Sequence, residues 1–216
     1  MTKFNSTTAI LSDLDGVILD LNYDMKFWTD WLPNTLALET GKSSTEVKAD
    51  IKSMMSDQEA SLNWYDLNYW DELLGIDSLE IIKNQEERCS FLKGSEDALK
   101  KIASLSNPKY ILTNGDPRLF DFKSESANFL DYFDSHICSM HLGYAKEQKE
   151  FWALAGQYLK VNLKNSIFID DNFKVVTSAV NAGVGQVYWI NPGRQKTLAN
   201  GVMTYPTLAE LVDAII

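Results

Sequence analysis

The sequence predicts an α/β fold, in which a doubly wound, mostly parallel sheet carries an inserted helical domain. Short apolar runs recur from about residue 91 to residue 216 and are separated by segments with helical apolar spacing, a pattern typical of parallel sheets covered by helices. Residues 20–90 instead carry successive helical patterns and no convincing strand. We therefore expect a core domain of residues 1–19 and 91–216 and a helical domain of residues 20–90.

The predicted strands are short apolar runs that suit the buried centre of a sheet. The first, Ala-Ile-Leu at residues 9–11, is followed by a polar turn at residues 13–16 and then by a second apolar run, Val-Ile-Leu. Further strands are predicted at residues 110–113, 136–139, 166–170 and 186–190. Functional side chains are expected outside the carboxyl ends of these strands, where open α/β sheets bind their ligands.

Capping residues mark the helices that separate the strands. Ser95 is expected to begin a helix that runs to residue 105. Asp116 and Pro117 supply an N-cap and a first-turn proline for a helix toward residue 133. The remaining helices of the core are predicted at residues 147–159 and 173–182.

The helical domain is predicted to contain four helices, at residues 25–40, 45–61, 63–74 and 78–88. Pro33 is expected to end or bend the first helix. Ser43 and Glu46 are spaced as a capping box for the second, and Gly75 is expected to end the third.

Four of the six tryptophans lie in this helical domain: Trp28, Trp31, Trp64 and Trp70. A small helical bundle needs such bulky side chains to bury enough apolar area. Alternatively, one or two of the rings face a ligand cleft and stack on a base or another planar group. The sequence leaves both roles open for different rings.

The composition is that of an ordinary folded protein and excludes several classes. Apolar residues make up 45% and charged residues 23% of the 216 residues, which excludes a disordered or collagen-like chain. With 20 basic and 30 acidic side chains the net charge is -10, so neither a nucleic-acid nor a membrane partner is expected. Cys89 and Cys138 show no disulfide or metal spacing, and no export signal is indicated, so we expect a cytoplasmic protein.

Two pairs of carboxylates follow predicted strands. Asp13 and Asp15 are two residues apart, and in an extended chain such side chains point to the same side. Asp170 and Asp171 end a later strand and are expected at the same edge of the sheet. Crowded carboxylates need a divalent metal, a lysine or both to offset their charge, and oxygen ligands suit a hard ion such as Mg2+. The four aspartates are therefore candidate metal ligands.

Thr113, Asn114 and Lys146 are candidates for binding a phosphate. Thr113 and Asn114 end another strand, where a hydroxyl and backbone N–H groups can hold phosphate oxygens. Lys146 adds a cation at a predicted helix start. Each feature alone also has a structural explanation, as a turn, a helix cap or a solvated lysine. Their combination in this order, all at strand ends, favours one shared site.

Together these motifs closely resemble those of the haloacid dehalogenase (HAD) superfamily of phosphohydrolases. The matching positions are Asp-Leu-Asp-Gly-Val at residues 13–17, then Thr113, Asn114, Lys146, Asp170 and Asp171. The resemblance spans nearly the whole chain and implies a Rossmann-like core with the helical domain as a cap. Ser12 and Ala145 depart from the family pattern, in which an apolar residue and a proline are usual, but neither change removes a functional group.

Within this superfamily, three segments resemble bacterial GMP/IMP 5'-nucleotidases. They are residues 19–21 with 27–28, residues 62–65 with 69–70, and residues 143–147. The expected substrate is therefore a small phosphomonoester such as GMP or IMP, and the protein is expected to act as a monomer or a weak homodimer.

The resemblance implies a Mg2+-dependent phosphomonoesterase that acts through an aspartyl-phosphate intermediate. Asp13 would be the nucleophile, and Asp15 the general acid and then the general base. Mg2+ would be held by Asp13, the backbone carbonyl of Asp15 and Asp170, with Asp171 as a direct or water-mediated ligand. The cap would close over the cleft, exclude water and select the leaving group.

The same resemblance assigns the binding of the transferred group. The hydroxyl of Thr113, the N–H of Asn114 and the ammonium of Lys146 would hold the phosphoryl oxygens. Lys146 would also keep Asp13 ionised.

Three other functions remain open from the sequence. A phosphosugar phosphatase or phosphomutase of the same superfamily would use the same motifs, because a mutase also passes phosphate through the aspartate. A 2-haloacid dehalogenase is disfavoured by Asp15, which an oxygen leaving group needs as its acid. A non-catalytic ligand-binding or scaffold protein that kept the fold is the alternative of another class, against which the intact motifs argue.

Overall fold

The computed structural model of the chain describes residues 8–59, 61–192, 197–199 and 202–216. In this part the strands join into one seven-stranded sheet of order β3-β2-β1-β4-β5-β7-β6. The strands are β1 (Ile10–Ser12), β2 (Lys109–Thr113), β3 (Ser135–Cys138), β4 (Ile167–Asp170), β5 (Gln186–Ile190), β6 (Thr197–Ala199) and β7 (Val202–Tyr205). Only β6 runs antiparallel to its neighbour, which confirms the predicted α/β fold with its mostly parallel sheet.

Ten α-helices accompany this sheet in the described ranges. They are α1 (Asn22–Lys26), α2 (Leu32–Thr40), α3 (Ser44–Ser56), α4 (Leu67–Leu74), α5 (Ser78–Lys83), α6 (Ser95–Ala103), α7 (Pro117–Ala127), α8 (Lys149–Leu159), α9 (Phe173–Asn181) and α10 (Leu208–Ile215). We call residues 22–83, with α1 to α5, the helical segment. The division into a core of residues 1–19 and 91–216 and a domain of residues 20–90 stays a prediction, and residues 1–7 lie outside the described residues.

The sheet changes its winding direction between β1 and β4. From β1 the chain moves outward to β2 and β3, and it then returns to the other side of β1 to form β4 and β5. In the register, Ser12 pairs with Ile111 on one side and with Ile169 on the other. The residues that follow β1, β2 and β4 therefore leave the sheet at one edge, at the crevice where such sheets bind ligands.

Side chains of the central strands alternate between two apolar layers. In β4, Ile167 and Ile169 belong to one layer, whereas Phe168 belongs to the other. The first layer also contains side chains of α6, α7, α10 and the helical segment, and the second contains those of α8 and α9. Helices therefore cover both faces, which is what buries a parallel sheet.

The helical segment differs from its prediction at several helix ends. Residues 22–40 are continuously helical, so the helix does not end at Pro33, and a π-helix at Phe27–Trp31 lies directly before α2. The Leu32 N–H bonds to the Phe27 carbonyl in this wider turn, which accommodates Pro33 and its missing N–H. The second helix ends at Ser56, and the third begins only at Leu67, after the Asp66 cap.

Three predicted helix boundaries in this segment are confirmed. Ser43 and Glu46 form the capping box of α3. Gly75 ends α4 with a φ of 70°, in the left-handed region that glycine favours. The helix predicted over residues 78–88 begins at Ser78 as expected, but it ends at Lys83.

The remainder of the chain also departs from prediction in two loops. The apolar run at residues 17–19 is fully buried but forms a loop with isolated bridges in place of a strand. The predicted helix from Asp116 ends at Ala127, because Asn128 adopts a left-handed conformation with a φ of 48°. Within the described residues, no helix combines the length and the apolar character that a membrane crossing requires.

Candidate active site

The first carboxylate pair lies at the carboxyl end of β1. Asp13 follows the strand directly, and its backbone N–H donates to the Ile169 carbonyl of β4 at 2.8 Å. The chain then turns through Gly16, whose φ of 82° favours glycine, and the Gly16 N–H bonds to the Leu19 carbonyl. This turn keeps Asp13 and Asp15 together at the crevice between β1 and β4.

Lys146 joins the first carboxylate pair to the second. Its Nζ lies 2.8 Å from Asp13 Oδ1 and 2.8 Å from Asp170 Oδ2, and it also donates to the Leu112 carbonyl at 3.0 Å. The residue is only 1% exposed. The sequence predicted Lys146 at a helix start, but the residue lies in the loop before α8. Lys146 therefore acts on the site through direct ion pairs and not through a helix terminus.

Asp13, Asp170 and Asp171 form a cluster of oxygen ligands. One carboxylate oxygen from each lies within 4.8 Å of the others. Asp170 is completely buried, and its Oδ1 accepts the Asn172 N–H at 2.7 Å, which fixes the carboxylate at the end of β4. Asn172 at the same time caps α9.

Charge is unbalanced in this cluster, because three carboxyl groups share the single ammonium of Lys146. Burial raises the pKa of Asp13 to about 8 even though Lys146 acts in the opposite direction. Burial likewise raises the pKa of Asp170 to about 6 and that of Asp171 to about 7, with the neighbouring carboxylates adding to both effects. Lys146 lowers the pKa of Asp13, which is the direction that the resemblance implies, while burial and the carboxylate of Asp170 act against it.

This excess of negative charge fits a hard divalent cation. The ligands are all oxygen atoms, which Mg2+ prefers. A cation in addition to the Lys146 ammonium would favour the ionised form of each carboxyl group. The donor set therefore agrees with the expected metal.

The phosphate-binding candidates lie at the end of β2, beside β1. Thr113 is buried, and its Oγ1 accepts the Gly115 N–H at 2.9 Å. The side chain of Asn114 holds two neighbouring loop residues: its Oδ1 accepts the Lys146 N–H, and its Nδ2 donates to Glu147 Oε2, each at 2.9 Å. Asn114 thus connects the loop after β2 to the loop that carries Lys146.

Glu147 is a site residue to which no sequence pattern assigned a role. Its Oε1 accepts the hydroxyl of Tyr65 at 2.7 Å, while its Oε2 accepts Asn114. Burial and the Glu147 charge raise the pKa of Tyr65, so the hydroxyl remains a donor at neutral pH. One carboxylate therefore links the helical segment to the loop after β2.

A second link to the helical segment starts at Asp116. Its Oδ1 caps α7 through the Arg118 N–H, as predicted, and its Oδ2 accepts the N–H of Leu67 at the start of α4. Arg118 also pairs with Asp71 of α4 at 3.2 Å. The segment is therefore fixed over the carboxyl edge of the sheet.

Lys123 is a second buried cation that the sequence did not single out. Its Nζ lies 2.7 Å from Asp15 Oδ1 and 2.5 Å from Asp24 Oδ2. Burial lowers its pKa, but the two carboxylates outweigh burial and raise the pKa above the usual value for lysine. The available signal was the position of Lys123 on the apolar face of α7, three residues after the buried Phe120.

A cavity of about 930 Å³ lies between the sheet edge and the helical segment. The seven candidate positions do not all reach it: Asp170 is buried behind the others. The cavity is lined by Asp13, Asp15, Thr113, Asn114, Lys146 and Asp171, together with side chains of the helical segment that include Met25, Phe27, Trp28, Trp64 and Tyr65.

The tryptophans divide between the two roles that the sequence left open. Trp28 and Trp64 line the cavity, whereas Trp70 is completely buried and packs edge-to-face on Trp28. Trp31 packs edge-to-face on Tyr23. The two histidines are structural: His136 stacks on Phe120, and His141 accepts the Cys138 N–H.

A doubly wound sheet with carboxylates after two adjacent strands and a buried lysine between them defines a hydrolase core of the haloacid dehalogenase type. The chain belongs to this family, since the haloacid dehalogenase-like hydrolase profile matches residues 7–183. It is similar to the GMP/IMP nucleotidase YrfG of Escherichia coli (strain K12), with 26% identity over 176 residues that cover 82% of this chain and 79% of the relative.

Solved structures show the same fold over nearly the full chain. A HAD phosphatase from Thermococcus onnurineus matches with a TM-score of 0.80 at 23% identity, and the match covers 96% of this chain and 97% of the phosphatase chain. The putative HAD-hydrolase YfnB from Bacillus subtilis, bound to magnesium, has a TM-score of 0.70 at 16% identity, covering 97% and 98%. A putative beta-phosphoglucomutase from Thermotoga maritima has a TM-score of 0.67 at 19% identity, covering 96% and 97%.

Proposed function

We propose that the chain is a Mg2+-dependent phosphomonoesterase that acts through an aspartyl-phosphate on Asp13. The observation that carries this proposal is the position of Lys146, which contacts Asp13 and Asp170 at 2.8 Å each. This contact brings together residues from three distant parts of the chain, and two of them, Asp13 and Lys146, line the cavity together with Thr113. The arrangement combines a nucleophile, ligands for a cation and donors for an oxyanion.

The reaction proceeds in two displacements at phosphorus. Lys146 holds Asp13 Oδ1, so we assign the attack to Oδ2. A bond forms from this oxygen to phosphorus, the bond to the leaving oxygen breaks, and the carboxylic acid of Asp15 gives its proton to that oxygen. A water oxygen then attacks phosphorus, a water proton returns to Asp15, and the bond to Asp13 breaks as phosphate is released.

Mg2+ would be held by Asp13, the backbone carbonyl of Asp15 and Asp170, with Asp171 as a direct or water-mediated ligand. When bound, the ion offsets the negative charge of the phosphoryl group and of the carboxylates. The magnesium bound to YfnB supports this choice of ion.

Thr113, Asn114 and Lys146 hold the transferred group. The Gly115 N–H occupies a lone pair of the Thr113 hydroxyl, which leaves the hydroxyl proton for a phosphoryl oxygen. The N–H of Asn114 and the ammonium of Lys146 complete the set of donors. Because charge spreads over the equatorial oxygens in the transition state, such fixed donors supply much of the rate enhancement.

The proposed substrate is a nucleoside 5'-monophosphate such as GMP or IMP. The likeness to YrfG supports this choice. The cavity of about 930 Å³ lies within the usual range of small-molecule sites, about 300 to 1,000 Å³. Trp28 and Trp64 offer aromatic faces on which a purine can stack. The buried free thiols Cys89 and Cys138 are compatible with the cytoplasm, which is the proposed location.

Hydrolysis of 4-nitrophenyl phosphate with and without Mg2+ tests the reaction. We expect Mg2+-dependent release of phosphate, which Asp13→Asn lowers by about 10³-fold or more, because the amide cannot act as the nucleophile. The matched control is Asp97→Asn, since this carboxylate of α6 is 82% exposed and far from any role in the mechanism. Activity without a metal, or activity that survives Asp13→Asn, would contradict the proposal.

A panel of phosphomonoesters tests the substrate. We expect kcat/KM for GMP and IMP to exceed that for sugar phosphates, and a reversed order would refute the nucleotide assignment. Product analysis with a sugar phosphate separates hydrolysis, which yields inorganic phosphate, from a mutase reaction, which yields an isomeric sugar phosphate.

A further inference from the structure

Lys123 is a buried charge that the proposed chemistry has not yet used. Its side chain is 3% exposed, although it carries a full positive charge, and it lies on α7 among apolar neighbours. A lysine in such a place needs charged partners to offset its desolvation. Asp15 and Asp24 are those partners, and both line the cavity.

The two carboxylate oxygens of Asp15 have different surroundings. Oδ1 is bound by Lys123 at 2.7 Å. Oδ2 lies 3.8 Å from the place that a Cβ on Gly115 would occupy, which is next to the loop that presents Thr113. The contact with Lys123 therefore sets the direction of the other oxygen, which faces the loop where the phosphoryl group is expected.

Asp24 fixes the position of the Lys123 ammonium. A lysine side chain is flexible, and a single contact to Asp15 would not fix it. Asp24 lies on α1, the first helix of the helical segment, and its Oδ2 is 2.5 Å from the same Nζ. Lys123 is therefore bound by a residue of the sheet edge and by a residue of the helical segment at the same time.

We propose that Lys123, held by Asp24, is a positioning residue that aims Asp15 Oδ2 at the leaving oxygen of the substrate. The proposal rests on the function proposed above, because it assigns Asp15 the transfer of a proton to that oxygen. It also connects the acid to the helical segment, so that Asp15 is aligned when α1 is seated over the cavity.

The leaving group of the substrate gives a readout that a structural role would not produce. Phenolate is a poor leaving group and needs the proton from Asp15, whereas dinitrophenolate is a good one and leaves without it. Each variant is compared with the wild type on the same substrate, so a difference in binding between the two aryl phosphates does not affect the comparison. The value of kcat/KM reports only the steps up to the departure of the leaving group, so the later role of Asp15 as a base does not enter.

The experiment compares kcat/KM of Lys123→Met on phenyl phosphate and on dinitrophenyl phosphate in the presence of Mg2+. We expect a loss of about 100-fold on phenyl phosphate, within the usual range for general acid catalysis, and a loss of less than about 5-fold on dinitrophenyl phosphate. Asp15→Asn is the reference and is expected to show the same selectivity. Lys101→Met is the matched control, because it removes a lysine from an exposed ion pair with Asp213. It is expected to change kcat/KM on neither substrate.

Two further variants decide the case if Lys123→Met does not fold. Lys123→Arg keeps the charge and is expected to retain most of the activity on phenyl phosphate. Asp24→Asn leaves Lys123 with one ionic partner and is expected to lower kcat/KM on phenyl phosphate selectively, by about 5-fold to 10-fold. Equal losses on both substrates, or no loss on either, would overturn the proposal.

The wild-type protein separates this proposal from the proposed function. If it hydrolyses both aryl phosphates and depends on Asp13, the function stands, and the selectivity of the Lys123 and Asp24 variants alone decides their role. If the wild type hydrolyses neither substrate, both proposals fail.

Discussion

Gly16 leaves the space that the carboxylate of Asp171 occupies. A Cβ on Gly16 would lie 2.1 Å from Asp171 Oδ2, closer than any real contact of such atoms. The backbone at Gly16 also has a φ of 82°, which side chains disfavour. The turn after β1 therefore needs a glycine for two separate reasons, its conformation and its contact with the second carboxylate pair.

Gly16→Ala is expected to remove activity by displacing Asp171 or the turn itself. The methyl group cannot share the space with the carboxylate, so the ligand cluster around Asp13 must open. We expect kcat/KM to fall by about 100-fold and the Mg2+ concentration for half-maximal activity to rise. A loss of about 1 to 2 kcal/mol of unfolding free energy is also expected from the left-handed alanine.

Gly183→Ala is the matched control for this variant. Gly183 has a φ of 83°, but nothing lies within 4 Å of a Cβ placed there. The variant is therefore expected to lose a similar unfolding free energy and to keep its activity. A result in which both alanine variants remain active, or both become inactive, would contradict the steric explanation.

Lys146→Met is expected to abolish activity and to destabilise the protein in a pH-dependent way. Removal of the ammonium leaves Asp13 and Asp170 buried without their cation, a change that costs about 3 to 5 kcal/mol when charges stay ionised. A folded-state pKa above the unfolded value costs stability as the pH rises between the two values. The loss is therefore expected to be larger at about pH 8 than at about pH 5, as measured by urea unfolding without a metal.

The double variant Lys146→Met with Asp170→Asn separates stability from catalysis. Loss of one buried carboxylate relieves the imbalance, so we expect part of the unfolding free energy to return while the activity does not. An equal destabilisation by Lys146→Met at both pH values would show that the ion pairs are not its cause.

The positions of the aspartates and of Thr113 could be predicted because they follow from strand ends, whereas Lys146 lies in the loop before α8 and was assigned to the site by the family resemblance. Apolar runs identify β1, β2 and β4, and the ends of parallel strands meet at one edge whatever lies between them in sequence. Lys123 could not be assigned in this way. A helical lysine says nothing about its partners until packing shows that α7 turns this face toward Asp15.

The fold was predictable where elements are long or strongly marked. The strand β7 and its antiparallel partner β6 were missed, because strands of three or four residues carry too little periodicity to identify. Helix α4 was predicted too long, since the cap of Asp66 starts it at Leu67. Leu67 also bonds to Asp116, a contact between distant parts of the chain that no local pattern contains.

Mg2+ is expected to stabilise the protein more strongly at high pH. Without a metal, the raised pKa values of Asp13, Asp170 and Asp171, about 8, 6 and 7, mean that stability is lost as the pH rises from about 4 toward 8. An ion that binds the ionised carboxylates restores this stability and competes with protons at low pH. At 100 times its Kd it contributes about 2.7 kcal/mol.

Thermal unfolding with and without MgCl2 at about pH 5 and about pH 8 measures this effect. The rise in Tm is expected to be clearly larger at the higher pH, and Asp170→Asn is expected to remove most of it. A rise in Tm that is the same at both pH values, or that persists in Asp170→Asn, would argue against an ion bound by these carboxylates.

Tyr65→Phe is expected to weaken substrate binding while leaving the chemical step nearly unchanged. The hydroxyl donates to Glu147 Oε1 at 2.7 Å, so its loss removes one bond that holds the helical segment over the cavity. Glu147 still holds Asn114 through Oε2, so the donors for the phosphoryl group stay in place. A hydrogen bond of this kind contributes about 1 kcal/mol or somewhat more, which corresponds to a KM increased about 5-fold to 10-fold.

The matched control is Tyr69→Phe, which makes the same change at a ring that packs on Trp70 in α4. No hydrogen bond of the Tyr69 hydroxyl is found within the described part of the chain, so kcat and KM are expected to stay at their wild-type values. If Tyr65→Phe lowers kcat and leaves KM unchanged, the hydroxyl acts on the transition state and not on the seating of the helical segment. If the two variants behave alike, the bond from Tyr65 to Glu147 contributes nothing to substrate binding.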